Sequence, residues 1–186
     1  PATDVFDLTA AGMSRANSLD LPPEAEEMRT QIRAEARRIA ELDEKAQLDE
    51  LIATGYVMPH WPKPWGRGAG AVEQLLVEEE FAAAGVKRPD YGITGWVILT
   101  LIQHGTPWQI ERFVEKALRK DEIWCQLFSE PSAGSDAAAV KTRATRVDGG
   151  WMITGQKVWT SGAHYCKRGL ATVRTDFDVP KHAGIT

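Results

Sequence analysis

Residues 106–130 read TPWQIERFVEKALRKDEIWCQLFSE, and the chain changes character inside this stretch. Thr106-Pro107-Trp108-Gln109 has the form of a capping box with proline at the first helical position. Ile110, Phe113, Val114, Ala117 and Leu118 then mark one face of a helix. From Ile123 the pattern is different, and Ile123–Ser129 reads as a strand. Up to residue 120 the chain holds 19 acidic and 14 basic residues and is rich in Ala, Glu, Leu and Arg. From residue 121 it holds 7 acidic and 8 basic residues, glutamate is reduced to Glu122 and Glu130, and Thr, Val, Ser and Gly take over. Helix formers followed by strand formers imply an α+β chain with segregated elements: a helical domain over 1–120 and a β domain over 121–186.

Upstream, Pro22 and Pro23 suit a helix start, with Met28, Ile32, Ala36 and Ile39 following at helical spacing. A second helix is expected over Glu44–Thr54, stopped by Gly55, and a third begins at Val72, Leu75 and Leu76 and ends at Gly85. A fourth, from about Tyr91 to Gln103, is apolar on every side and is expected to be central. Downstream, Val140–Val147, a turn at Asp148-Gly149-Gly150 and Trp151–Trp159 read as a hairpin, with a further strand near Gly169–Arg174. The expected architecture is an N-terminal all-α bundle followed by the first part of an antiparallel β-barrel or sandwich. The chain ends at Thr186 just after a plausible turn, which leaves a sheet edge to be covered and makes the sequence look truncated.

The 186 residues are 43% apolar and 26% charged, with a net charge of -4. A chain of this size buries roughly 70% of its unfolded surface, so it forms a core without covalent staples. The charge balance offers no basic footprint for nucleic acid or an anionic membrane. Tyr91–Ile110 is uncharged, but its solidly apolar part is far shorter than the roughly 20 residues a bilayer needs. The acidic start (Asp4, Asp7) lacks the charged region of a signal peptide. Cys125 and Cys166 are too few for a disulfide framework and wrongly spaced for zinc, which fits a reducing, cytoplasmic compartment.

Familiar catalytic patterns are missing. His60, His104, His164 and His182 show no metal-ligand spacing, so no metal is expected. Gly66-Arg67-Gly68-Ala69-Gly70 lacks the last glycine of a dinucleotide fingerprint and follows no strand, so it reads as a loop. The run Glu78-Glu79-Glu80 reads as a solvated helix face. Two segments are informative. In 126–136, QLFSEPSAGSD, a strand delivers Ser129, Pro131 breaks the ladder, and Gly134 and Ser135 lie in a small-residue loop whose N–H groups can nest a phosphate oxygen. An ordinary turn uses the same residues. In 155–162, GQKVWTSG, Trp159 followed by Thr160 and Ser161 can stack on a planar ring while a hydroxyl meets a ring heteroatom. The plain alternative is a Trp159 packed in the sheet core.

Taken together, SEPSAGSD and GQKVWTSGAHY resemble the acyl-CoA dehydrogenase flavoprotein family, in order and in spacing. Ser129 and Trp159 are 30 residues apart, and Ser135 and Trp159 are 24 apart. The likeness extends back through Gln103-His104-Gly105-Thr106 and the helical block. The resemblance implies a helical N-terminal domain, a β middle domain and a C-terminal four-helix domain, with FAD held between them. Carried over by position, Gln126, Leu127, Phe128 and Ser129 meet the flavin, and Gly134 and Ser135 the pyrophosphate or the adjoining CoA. Trp159 stacks near the isoalloxazine edge, Ser161 hydrogen-bonds around N5 and O4, and Thr160 between them belongs to the cofactor-binding set. Gly92, Gly95 and Trp96 are expected to face the acyl group. It further implies acyl-CoA as substrate, a trans-2-enoyl-CoA product, electron-transfer flavoprotein as acceptor, and a homo- or hetero-oligomer built through the C-terminal domain. The family's glutamate base belongs beyond Thr186, so no catalytic residue is assigned to Glu78, Glu130 or any other visible carboxylate. The 186-residue chain alone is then expected to be inactive and to bind FAD weakly or not at all. Ser132 departs from the glycine common after the motif's proline. Two other readings share these residues: a non-catalytic partner subunit, and an acyl-CoA oxidase-like member of the superfamily.

Overall fold

The computed structural model describes residues 24–186. The helix start at Pro22–Pro23 and the acidic stretch with Asp4 and Asp7 lie outside the described residues. Five α-helices come first: α1 Glu24–Ala40, α2 Glu44–Thr54, α3 Ala71–Ala83, α4 Gly92–His104 and α5 Pro107–Leu118. Four short strands follow: β1 Trp124–Leu127, β2 Arg143–Val147, β3 Gly150–Thr154 and β4 Arg168–Ala171. The chain divides into two compact units, one ending at Pro89 and one running from Asp90 to Thr186.

In the first unit, Glu24, Glu26 and Glu27 sit in the first turn of α1 and Arg37 and Arg38 in its last, each matching the adjacent end of the helix dipole. Ala25, Ile32, Ala36 and Ile39 form its buried stripe, and α1 packs on α3. The Asp43 side chain accepts from Ala46 N–H to cap α2, and Gly55, at φ 75°, closes it. The glycine stretch after Pro64 is a loop, as its sequence suggests. A Cβ at Gly66 would lie 2.4 Å from the Met58 carbonyl oxygen, so only glycine fits there. Arg67 fastens this loop: its guanidinium lies 4.2 Å over the Tyr56 ring, and its Nε donates to Glu73 at 2.7 Å.

The acidic run on α3 is solvent-exposed at Glu78 and Glu79, as expected, but not at Glu80. Glu80 is buried, and its carboxylate accepts from Arg33 at 2.7 and 2.9 Å and from Arg29 at 2.9 Å. Those bonds hold it below the usual carboxylate range. Glu79 pairs with Arg29 and Glu78 with Arg88. Glu79 and Glu80 are therefore the electrostatic join between α1 and α3.

In the second unit the capping box of α5 forms as read: Thr106 Oγ1 accepts from Gln109 N–H, and Gln109 Oε1 accepts from Thr106 N–H. Helix α4 packs on α5 and β1. The Tyr91 hydroxyl donates to the Leu118 carbonyl at 2.6 Å, and Thr94 Oγ1 accepts from Trp124 N–H at 3.0 Å. Thr94, Gly95, Val97 and Ile98 of α4 are buried, whereas Gly92 and Trp96 are exposed. The helix thus keeps one open face among the described residues.

The strands are shorter than their sequence suggests, and one pairing differs in sense. β2 and β3 form the expected antiparallel hairpin, Arg143↔Thr154 to Val147↔Gly150, turned at Asp148-Gly149 with Gly149 at φ 77°. β1 and β4 instead pair in parallel, Trp124↔Arg168 to Leu127↔Ala171, so the strand set is not wholly antiparallel. β3 stops at Thr154, and residues 155–159 leave the ladder. Local alternation marks a strand but carries no information about the direction of a partner some forty residues away.

Candidate functional site

The two motif segments meet in the second unit. β1 delivers Phe128 and Ser129 beyond its end, and Glu130 turns the chain: Glu130 N–H donates to the Ala133 carbonyl and Ala133 N–H returns to Glu130. The Glu130 side chain faces inward and is buried. It accepts from the backbone N–H groups of Lys141 at 2.7 Å and Thr142 at 2.9 Å, and from Lys157 Nζ at 2.9 Å. Burial by itself raises this carboxyl's pKa, but the Lys157 ammonium and the Thr142 and Lys141 donors outweigh it and hold the pKa at about 2. A carboxylate so fully engaged is a structural anion, not a base. Lys157 Nζ also donates to the Phe128 carbonyl at 3.0 Å, and Val158 N–H donates to the Ser129 carbonyl at 2.9 Å. Residues 157–158 are thereby laid directly on residues 128–130.

The next residue leaves the surface. Trp159 adopts φ 58°, a left-handed conformation that disfavours a bulky L-residue, and its side chain is 90% exposed. The alternative of a tryptophan packed in the sheet core is overturned. Trp159 borders a cavity of about 100 Å³ with Ile93 of α4, Gln126, Phe128, Ser129, Val158 and Ser161. The structure therefore brings together Gln126, Phe128, Ser129, Trp159 and Ser161. Leu127, Gly134, Ser135 and Thr160 do not line this cavity. Gly134 and Ser135 are exposed on the 130–136 turn, and the Thr160 hydroxyl is buried without a hydrogen-bond partner. A Cβ at Gly134 meets nothing within 4 Å, so the chain's own packing does not demand glycine there.

Of the expected acyl-facing residues, Gly92 borders a second cavity of about 270 Å³ beside Ile93, Thr94, Ser161, Tyr165 and Cys166. Trp96 stands edge-on to Phe128 at 5.7 Å, and Gly95 is buried within α4; neither borders a cavity described here. Behind the turn, the buried Arg174 guanidinium donates to the Val140, Ala138 and Lys181 carbonyls, and Asp136 pairs with Lys181. Ile93, Val158, Glu130 and Lys157 were not among the residues singled out for the site. The last two do carry a signal: charges inside strand-like sequence are costly unless paired. No group of residues able to hold a metal occurs among the described residues, and no helix among them is long and apolar enough to cross a membrane.

The pattern of the acyl-CoA dehydrogenase N-terminal domain matches residues 22–121 and that of the acyl-CoA dehydrogenase middle domain matches residues 125–186. The chain belongs to the acyl-CoA dehydrogenase family. Acyl-CoA dehydrogenase FadE34 of Mycobacterium tuberculosis (strain ATCC 25618 / H37Rv) is 52% identical over 179 residues, which are 96% of this chain and 25% of that protein. Among solved structures, the Tcur3481-Tcur3483 steroid ACAD matches with a TM-score of 0.61 and 31% identity over 90% of this chain and 47% of its own. The ChsE4-ChsE5 complex from Mycobacterium tuberculosis matches with a TM-score of 0.61 and 29% identity, over 90% and 46%. The chain thus spans about half the length of these solved relatives and a quarter of FadE34. The family patterns change between residues 121 and 125, whereas the compact units divide after Pro89, because α4 packs with α5 and β1 and Phe113 of α5 stands edge-on to Trp124 of β1.

Proposed function

We propose that residues 126–161 form the flavin-facing wall of an enzyme that dehydrogenates an acyl-CoA thioester to a trans-2-enoyl-CoA, with FAD as its cofactor. The observation that carries this reading is Trp159, a large residue held in an unfavourable backbone conformation, exposed, and bordering the same cavity as Ser129 and Ser161. Strain of this kind persists where function uses it. The residues present suit the group: an indole for a planar ring, hydroxyls at its edge, and open space at Gly134 for a phosphate. When bound, FAD accepts the hydride that leaves the acyl β-carbon.

The chain's own residues bind and orient. Ser129 and Ser161 donate to the ring edge, Trp159 covers it and keeps water away, and Gly134 and Ser135 hold the pyrophosphate or the adjoining CoA. Gly92 and Trp96, on the open face of α4, face the acyl group, whereas Gly95 is buried within the helix. The open cavity beside Gly92, together with a relative named for a steroid substrate, favours a ring-bearing acyl chain. Glu78, Glu80, Glu122 and Glu130 are all engaged by cations. The family resemblance, not their exclusion, assigns removal of the α-proton to a glutamate in the part of the relatives' length that this chain does not span. The two-component names of the solved relatives favour a hetero-oligomer, and electron-transfer flavoprotein is the acceptor in this reading.

The test uses the polypeptide that carries this segment at its natural length. It is expected to purify with FAD and to reduce an artificial electron acceptor with an acyl-CoA, whereas residues 1–186 alone show no turnover. Trp159→Gly relieves the left-handed strain, so stability is expected to hold or rise by about 1 kcal/mol, while FAD affinity falls. Strong turnover by residues 1–186 alone overturns the assignment of the base. A colourless full-length protein that associates with a separate flavoprotein favours the partner-subunit reading instead.

A further inference from the structure

Among the described residues, nothing but backbone direction aims the Trp159 indole: it is 90% exposed and stacks on no other ring or cation. What fixes that direction is the pair of residues just before it. The Lys157 side chain is 9% exposed, and its ammonium bridges the Phe128 carbonyl at 3.0 Å and the Glu130 carboxylate at 2.9 Å. Val158 N–H donates to the Ser129 carbonyl. The same Glu130 carboxylate gathers the N–H groups of Lys141 and Thr142, which lead into β2. One buried ion pair therefore joins residues 128–130, 141–142 and 157, with its cation two residues from Trp159 and its carboxylate next to Ser129. An apolar side chain at 157 would fill the space equally well but would leave the Phe128 carbonyl and the Glu130 carboxylate without their shared donor.

We propose that Lys157 is a positioning residue: by tying residue 157 to Phe128 and Glu130 it sets the plane of the Trp159 indole against the Ser129 and Ser161 hydroxyls, and so the fit of the flavin. This inference rests on the flavin reading above. It acts through Trp159 and involves no contact between Lys157 and the cofactor.

The experiment compares the natural-length protein with its Lys157→Met, Lys157→Arg and Glu130→Gln/Lys157→Met variants. FAD affinity, the shape of the visible flavin band and the melting temperature are read for each. Lys157→Met is expected to weaken FAD binding about tenfold, the size of one lost charge-assisted hydrogen bond, and to alter the visible band. Lys157→Arg, which keeps donors at this place, is expected to recover most of both. The double variant leaves no unpaired buried carboxylate, so it is expected to melt above Lys157→Met yet bind FAD as weakly as Lys157→Met. That separates positioning from stability even where the single variant folds poorly. A double variant with wild-type affinity and band overturns the inference while the flavin reading stands. A wild-type protein that takes up no FAD overturns the flavin reading and this inference with it.

Discussion

Glu130 shows how a single buried charge organises a loop. Three donors hold its pKa at about 2, against roughly 4.3 in an unfolded chain. Because the folded value is the lower one, the stabilising contribution is complete above the unfolded pKa and is lost as pH falls toward 2. Wild type is expected to lose on the order of 2 kcal/mol from this residue between about pH 4.5 and 2. Glu130→Gln should be less stable at pH 7 and lack that segment of the pH profile. Chemical denaturation at a series of pH values checks this, and parallel profiles for the two proteins would refute it. Trp159 is the opposite case. Nothing in the packing of the described residues uses it, which is why a purely structural account of a tryptophan fails there. Its exposure was not legible in sequence, since a strand-like run through Val158 gives no hint that the ladder stops at Thr154.

Between elements, the α1–α3 join depends on Glu80 more than on its partners. Glu80 is 6% exposed, whereas the Arg33 side chain is 45% exposed and solvent screens it. Glu80→Gln is expected to cost about 2 kcal/mol, because two guanidinium groups lose a shared buried anion. Arg33→Ala is expected to cost under about 1 kcal/mol, with Arg29 still in place. Urea midpoints of the two variants measure this, and equal losses would show that the carboxylate is not the centre of the join. The helices themselves were legible because their signals are local: the Thr106–Gln109 box, the Gly55 stop and the stripe from Ile32 to Ile39 each lie within a few turns of chain. The burial of Glu80 was not, since it depends on a helix some fifty residues earlier.

Across the whole molecule, the hairpin of β2 and β3 leaves Trp151, Met152 and Ile153 about half exposed. Adjacent residues of a strand point to opposite faces, so both faces of this hairpin carry apolar surface. Residues 1–186 in isolation are expected to bind an apolar-surface dye, and Ile153→Lys to lower the signal. A dye signal unchanged by that substitution would place the apolar surface elsewhere. This openness agrees with a chain that spans about half the length of its solved relatives.

By itself the sequence determined the helical block, its caps and stops, the change to strand-forming composition, and the two motifs that place the chain in the acyl-CoA dehydrogenase family. All of these arise from interactions between residues close in sequence or from residue identity alone. Only the tertiary structure decided that β4 runs parallel to β1, that α4 and α5 pack with β1, and that Glu80 and Glu130 are buried anions. It alone decided that Trp159 stands clear of the sheet beside Ser129. Each of these depends on backbones and charges brought together from segments apart in the chain, where the register of one segment against another, not its own pattern, sets which side chains meet.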